Sequence, residues 1–259
     1  MATAEHAQGS FPVDPLHQFV VQKIVPLQIG GIDVSFTNAS LWMIITGLLV
    51  IGFTVFGISK KALVPGRFQA AAEMLHDFVV DMVRDSAGHD AMRFFPFVFT
   101  LFMFILFANL VGLNPYGFSV TSHIIVTFML AIVVFIGVTL TGIYLHGFKF
   151  FGLFVPQGVP ALLLPLVVMI EVISYISRPI SHSVRLFANM LAGHITLEVF
   201  AGFVLSFGAM GAAGWLGAIL PLAMIVALVA LELLVAALQA YVFAILTCMY
   251  LRDALHPQH

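Results

Sequence analysis

Residues 161–207, ALLLPLVVMIEVISYISRPISHSVRLFANMLAGHITLEVFAGFVLSF, decide the fold of this chain. As a single α-helix the tract is roughly 70 Å long at about 1.5 Å per residue, some twice the hydrocarbon thickness of a bilayer. It therefore either breaks into two short helices near Pro179 or lies oblique, at about 65° from the membrane normal, far outside the usual tilt range. A second tract, from about Leu216 to Leu251, is roughly 50 Å long and raises the same problem. Pro165, Pro179 and Pro221 do not decide the matter, because proline is tolerated in a membrane helix whose neighbours satisfy the freed carbonyl.

The rest of the chain agrees that the bilayer is its solvent. Of 259 residues, 61% are hydrophobic and 8% charged, and the mean hydropathy is +1.11. Such a chain lacks the polar groups needed to cover a water-soluble surface. A formal net charge of −2 offers no basic footprint and excludes nucleic acid as a partner class. Cys248 is the one cysteine and has no intramolecular partner. No spacing for a metal site and no phosphate-binding glycine loop is present, so no metal or cofactor is expected. No basic, cleavable leader is evident in the first 35 or so residues.

Three shorter spans precede the long tracts: Leu41 to Ser59, Phe94 to Val111 and His123 to Leu145. The phenylalanines between Phe94 and Phe107 read as lipid-facing bulk. Lys60, Lys61, Arg67, Arg84, Arg93, Lys149 and Arg252 fall on one side of a five-span layout and Lys23 on the other. Positive residues mark the cytoplasmic side, so the N-terminus is external, the C-terminus internal and the uncharged Asn114-Pro115 turn external. Between the first two spans, Phe68, Ala72, Leu75, Val79 and Met82 recur at helical spacing opposite Glu73, Asp77, Asp81 and Asp85. This predicts an amphipathic helix on the cytoplasmic face.

The expected architecture is an all-α integral membrane protein with five membrane helices, the last two very long and oblique, plus that amphipathic helix. Its parts are an external N-terminal segment (1–39), a first membrane helix (40–59) and a cytoplasmic loop carrying the amphipathic helix (60–93). The second and third membrane helices with their loops follow (94–160), and a long hairpin forming an ion path completes the chain (161–259).

Charged residues inside the long tracts are costly and point to function. On a wheel of 100° per residue, Glu171, Arg178, His182, Arg185 and Asn189 fall in one narrow stripe, with His194 on the opposite side from Arg185. Folding the tracts back at the glycine-rich stretch 208–214 opposes positions whose numbers add to about 424, to within one helical turn. That register sets Arg185 against Gln239 and His194 near Glu232. Arg178 and Glu198 suit the ends of the span, where long side chains snorkel. The opposing account is that these polar residues only join helices by hydrogen bonds of about 1 kcal/mol or less.

The segment from Ser177 to His194, SRPISHSVRLFANMLAGH, closely resembles the signature of the subunit a family of rotary F-type ATP synthases. The last tract, with Glu232, Gln239-Ala-Tyr-Val-Phe and Tyr250-Leu-Arg, is similar to that family as well. The resemblance implies a stator subunit of the membrane sector, lying against a ring of c subunits, and supplies the oblique reading of the long helices. Its expected partners are the c-subunit ring, b-type peripheral stalk subunits, other ATP synthase subunits and membrane lipid. Nucleotide chemistry would lie on other subunits, so the chain itself is not expected to be an enzyme.

On the same resemblance, Arg185 is the essential arginine and Gln239 the family glutamine of the last helix. Asn109, His194 and Glu232 line an outer proton path; Glu171, Tyr175, Ser181 and His182 line an inner one; Asn189 lies beside Arg185. Many bacterial members carry glutamate on the first long helix and histidine on the last, whereas this chain has His194 and Glu232, as mitochondrial and related bacterial members do. Gly112 and His123 stand where some members have acids. The expected location is a bacterial inner membrane, with the mitochondrial inner membrane as the alternative. A self-contained proton-coupled secondary transporter is the rival reading, and a non-transporting scaffold the third.

Overall fold

The structure, a computed structural model, describes residues 17–26, 28–29, 32–33, 35–59, 65–114, 117–155, 160 and 162–255. Lys60, Lys61, Pro115 and the 1–16 segment lie outside the described residues, as does the side chain of Lys149.

Six helices carry the fold: α1 (Asn38–Ser59), α2 (Arg67–Ala87), α3 (Phe95–Gly112), α4 (Ile124–His146), α5 (Leu164–Gly208) and α6 (Ala212–Leu255). Five stretches, covering all of these but α2, are long and apolar enough to cross a membrane, as an integral membrane protein requires. α5 runs unbroken for 45 residues through Pro179, about 68 Å at 1.5 Å per residue. The alternative of two short helices is thereby excluded. α6 has 44 residues and keeps Pro221 inside it, so it matches α5 in length rather than falling short of it. The helix extends beyond the apolar tract through residues 212–215 at its start and residues 252–255 at its end.

α5 and α6 form an antiparallel hairpin whose turn is only Ala209, Met210 and Gly211. Gly211 has φ of 85°, a left-handed conformation that an L side chain rarely adopts, which lets the chain reverse so tightly. The fold-back register holds near that turn: a Cβ built on Gly217 would touch the Phe207 ring, and one built on Gly193 would strike the Glu232 carboxylate.

α2 is the amphipathic helix. Val79, Met82, Val83 and Ala87 are buried, whereas Glu73, Asp77, Asp81 and Asp85 are exposed. It packs on α1, α3 and α6, and the Gly57–Ala72 approach is so close that a Cβ at 57 has no room. That contact explains a glycine in α1.

Of the phenylalanines from Phe94 to Phe107, Phe97 is exposed, Phe102 is buried and the rest are half-buried. Val98, Leu101, Met103, Ile105 and Leu106 fill the buried face of α3, because α1, α2 and α6 pack on this helix. Uniform apolarity suits a helix enclosed by protein as well as one enclosed by lipid. The core continues into α6 through Ala240, Phe243, Ala244 and Cys248.

Before α1 the chain is not featureless. A 3-10 turn, His17–Phe19, leads to β1 (Lys23–Val25), β2 (Gln28–Ile29), β3 (Ile32–Asp33) and β4 (Phe36–Thr37), where β1 pairs antiparallel with β4 and β2 with β3. The Asn38 side chain fastens this segment to α1. Its Nδ2 donates to the Val20 carbonyl across 3.1 Å, and its Oδ1 accepts from the Gln22 amide across 3.1 Å.

Candidate functional site

The face of α5 that meets α6 carries a ladder of polar contacts. At its start, Tyr175 Oη lies 2.6 Å from Thr139 Oγ1 of α4. One turn on, the Arg178 guanidinium donates to Asp253 Oδ2 across 3.1 Å. It also lies over the Tyr175 ring at 5.2 Å and the Tyr250 ring at 5.1 Å. The cation is held by a carboxylate and two aromatic faces, geometry that a planar guanidinium suits.

His182 follows, buried edge-on against Phe243 and tilted against Tyr250. Beyond it, Asn189 Nδ2 donates to Gln239 Oε1 across 2.8 Å. The glutamine oxygen thus accepts from Asn189, one turn further along α5 than Arg185 and within one turn of the expected register.

Arg185 is exposed, and among the described residues it makes no side-chain hydrogen bond or ion pair. It borders a stripe of exposed apolar residues on α5: Ile173, Ile176, Ile180 and Val184. Ser181 is exposed on the same border, and Glu171 is half-buried near the start of the helix. Among the described residues no carboxylate pairs with this cation.

At the other end of the hairpin a second cluster is buried. Glu232 is 8% exposed, and both of its carboxylate oxygens lack a hydrogen-bond partner among the described residues. Its carboxylate lies against the backbone of Gly193. His194 is buried, and its Nε2 likewise has no protein partner. The register thus brings Glu232 to the turn that carries His194, but the two side chains share no hydrogen bond. Asn109 of α3 is fully buried; its Nδ2 donates to the Ala236 carbonyl, one turn from Glu232, across 3.1 Å, while Oδ1 has no protein partner.

Buried polar groups are normally satisfied. Asn109, His194, Glu232 and Thr121 each bury a polar side-chain atom that has no partner among the described residues. Next to them, His123 precedes α4 and stacks on Phe118 at 4.8 Å. Burial lowers its proton affinity below that of an ordinary imidazole.

Every sequence-predicted residue falls on the α5–α6 hairpin except Asn109, which joins it from α3. Sequence reasoning missed Asp253, Thr139 and Phe19. Asp253 follows the apolar tract and reads as a terminal charge; the hairpin register opposes Arg178 to Leu246, about two turns away, so it gives no sign of this pair. Thr139 and Phe19 carry no sequence signal at all.

The family model described as ATP synthase A chain matches residues 40–252. Among curated relatives, a protein of Parvibaculum lavamentivorans named "ATP synthase subunit a" is 70% identical over 100% of both chains. One of the same name from Chelativorans sp. is 64% identical over 95% of this chain and 99% of its own. Another from Rhizobium etli is 64% identical, covering 94% and 98% respectively.

Proposed function

Because the chain belongs to the ATP synthase A chain family, we propose that it is the stator beside a rotating c ring, providing two offset proton half-channels that couple proton flow to rotation. It is a membrane-sector component of an ATP synthase and acts with other subunits of that complex. The finer reading assigns the ring-facing role to Arg185 and the half-channels to the two polar clusters. The single observation that carries it is Arg185 at the edge of an exposed apolar stripe, between one buried polar cluster around Glu232 and another around Tyr175 and His182.

The mechanism follows from the chemistry of the cation. A guanidinium stays charged inside a membrane, where a lysine can lose its proton. When a ring carboxylate passes, the cation favours the ionised form, so the proton leaves at that angular position. The same charge repels a free proton and blocks leakage straight from one cluster to the other. A proton entering through Asn109, His194 and Glu232 neutralises the next ring carboxylate, which then moves into lipid. After nearly a full turn it leaves along His182, Ser181, Tyr175 and Glu171. At 100 mV each crossing contributes about 2.3 kcal/mol.

Nucleotide chemistry belongs to other subunits in this reading. The c ring and the b-type peripheral stalk are its specific partners, and a bacterial inner membrane its location. The test is ATP-driven proton pumping in inverted membrane vesicles carrying Arg185→Ala at normal expression. Pumping is expected to be abolished; pumping that persists at the parental rate rejects the role.

A further inference from the structure

His194 is buried in the outer cluster, and its Nε2 has no hydrogen-bond partner among the described residues. A buried imidazole usually has its rotation fixed by a hydrogen bond at one nitrogen, which also decides what the other nitrogen faces. The ring contact the structure gives it is Phe19, at 6.3 Å between centroids and 71° between planes. Phe19 makes the same kind of contact with His123, at 6.5 Å and 72°. Phe118 covers His123 from a further side, so one aromatic ring of the external segment touches both outer imidazoles.

The backbone carrying Phe19 is fixed. The 3-10 turn His17–Phe19 is followed at once by Val20, whose carbonyl accepts from Asn38, and Asn38 opens α1. A second bond from the Gln22 amide to the same Asn38 side chain closes the tie. Gln18, beside Phe19, has its Nε2 buried without a partner among the described residues, and the turn meets the polar cluster through the Phe19 ring.

We propose that Phe19 is a positioning residue for the outer proton path: its ring holds the His123 and His194 imidazoles in fixed orientation and thereby sets how readily the path takes up a proton. The inference rests on the outer half-channel reading above. Phe19 donates no proton and binds none; it acts through the two histidines. The titratable groups that share the surroundings are His123 before α4, His194 and Glu198 on α5, and Glu232 on α6. Because Phe19 touches only the outer cluster, its loss changes proton uptake from outside and leaves release at the inner side untouched.

The experiment is ATP synthesis by the whole complex reconstituted in liposomes, with outer-side pH varied at fixed inner pH and fixed membrane potential. Phe19→Leu keeps an apolar side chain and removes the ring. It is expected to raise the outer proton concentration needed for half-maximal synthesis by about three- to tenfold, the scale of one lost aromatic contact, with the maximal rate retained. Phe19→Tyr keeps the ring and is expected to match the parent.

An unchanged half-maximal concentration in Phe19→Leu overturns the proposal, as does an equal defect in Phe19→Tyr. If Phe19→Leu does not assemble, Phe19→Met takes its place; failure of both ringless variants beside a normal Phe19→Tyr assigns the residue to folding and also overturns it. Arg185→Ala serves as the separate control. Retained coupled synthesis in that variant defeats the parent reading, whereas its loss together with a parental Phe19→Leu defeats only this one.

Discussion

Asn189 Nδ2 donates to Gln239 Oε1 across 2.8 Å, one helical turn beyond Arg185 on α5. The bond joins the two long helices at the level where the free guanidinium meets the outside of the chain.

Asn189→Leu is expected to leave the buried Gln239 amide unsatisfied and to destabilise the α5–α6 contact by about 1–2 kcal/mol. Gln239→Leu should cost a similar amount. In the double variant both polar ends are gone, so its loss should be no larger than that of the worse single change. Thermal dissociation of the purified complex gives the three values, and strict additivity would show that the two residues do not act as a pair.

Gly193→Ala places a methyl group where the Glu232 carboxylate lies. The carboxylate must swing away, so ATP-driven pumping is expected to fall at least severalfold even with normal assembly. Combining it with Glu232→Asp shortens the acid by one methylene and should restore part of the rate. No recovery in the combined variant would argue that Gly193 serves helix packing alone.

Arg178 and Asp253 are partly exposed, at 21% and 43% of their side chains, so solvent screening keeps the ion pair itself to about 1 kcal/mol or less. The two tyrosine faces each add about 0.5–1 kcal/mol at such exposure. Asp253→Asn is therefore expected to be milder than Arg178→Ala, with Arg178→Lys between them because an ammonium keeps the charge and loses the planar stacking. Complex stability measured across the three variants checks the order.

His123 has its proton affinity lowered by burial. A group with a lower pKa in the folded state binds fewer protons there than in the unfolded chain, so its effect on stability is a loss as pH falls below about 6.5, the ordinary imidazole value. At pH 6.5, where a free imidazole is half protonated, His123 is expected to be less than half protonated. Nitrogen chemical shifts of the labelled histidine in the assembled complex would show it, and a half-protonated ring at that pH would contradict the assignment.

Much of this was legible in the residues. Apolar length and the placement of lysines and arginines were enough for five spans, and the spacing of Val79 and Met82 against Asp77 and Asp81 for the amphipathic helix. The antiparallel register was legible near the turn, where Gly193 meets Glu232. It held again where His182 meets Phe243, and at Gln239 the hydrogen-bond partner is Asn189, one turn from the expected position. The burial of α3 was not legible, since an all-apolar helix looks the same to lipid and to protein. Phe19 was invisible for a different reason: a short turn ahead of the first span has no periodicity, and only the folded chain brings it to His194.

The account depends most on what stands opposite Arg185. The direct measurement is a structure of the assembled membrane sector resolving the Arg185 guanidinium and its nearest acidic neighbour. The account predicts a c-ring carboxylate across from it at roughly hydrogen-bonding reach, within about 4 Å or one water, with the Glu232 and His182 clusters opening to opposite sides of the membrane. A guanidinium facing lipid or bulk water, with no carboxylate of another subunit passing it, would contradict the account.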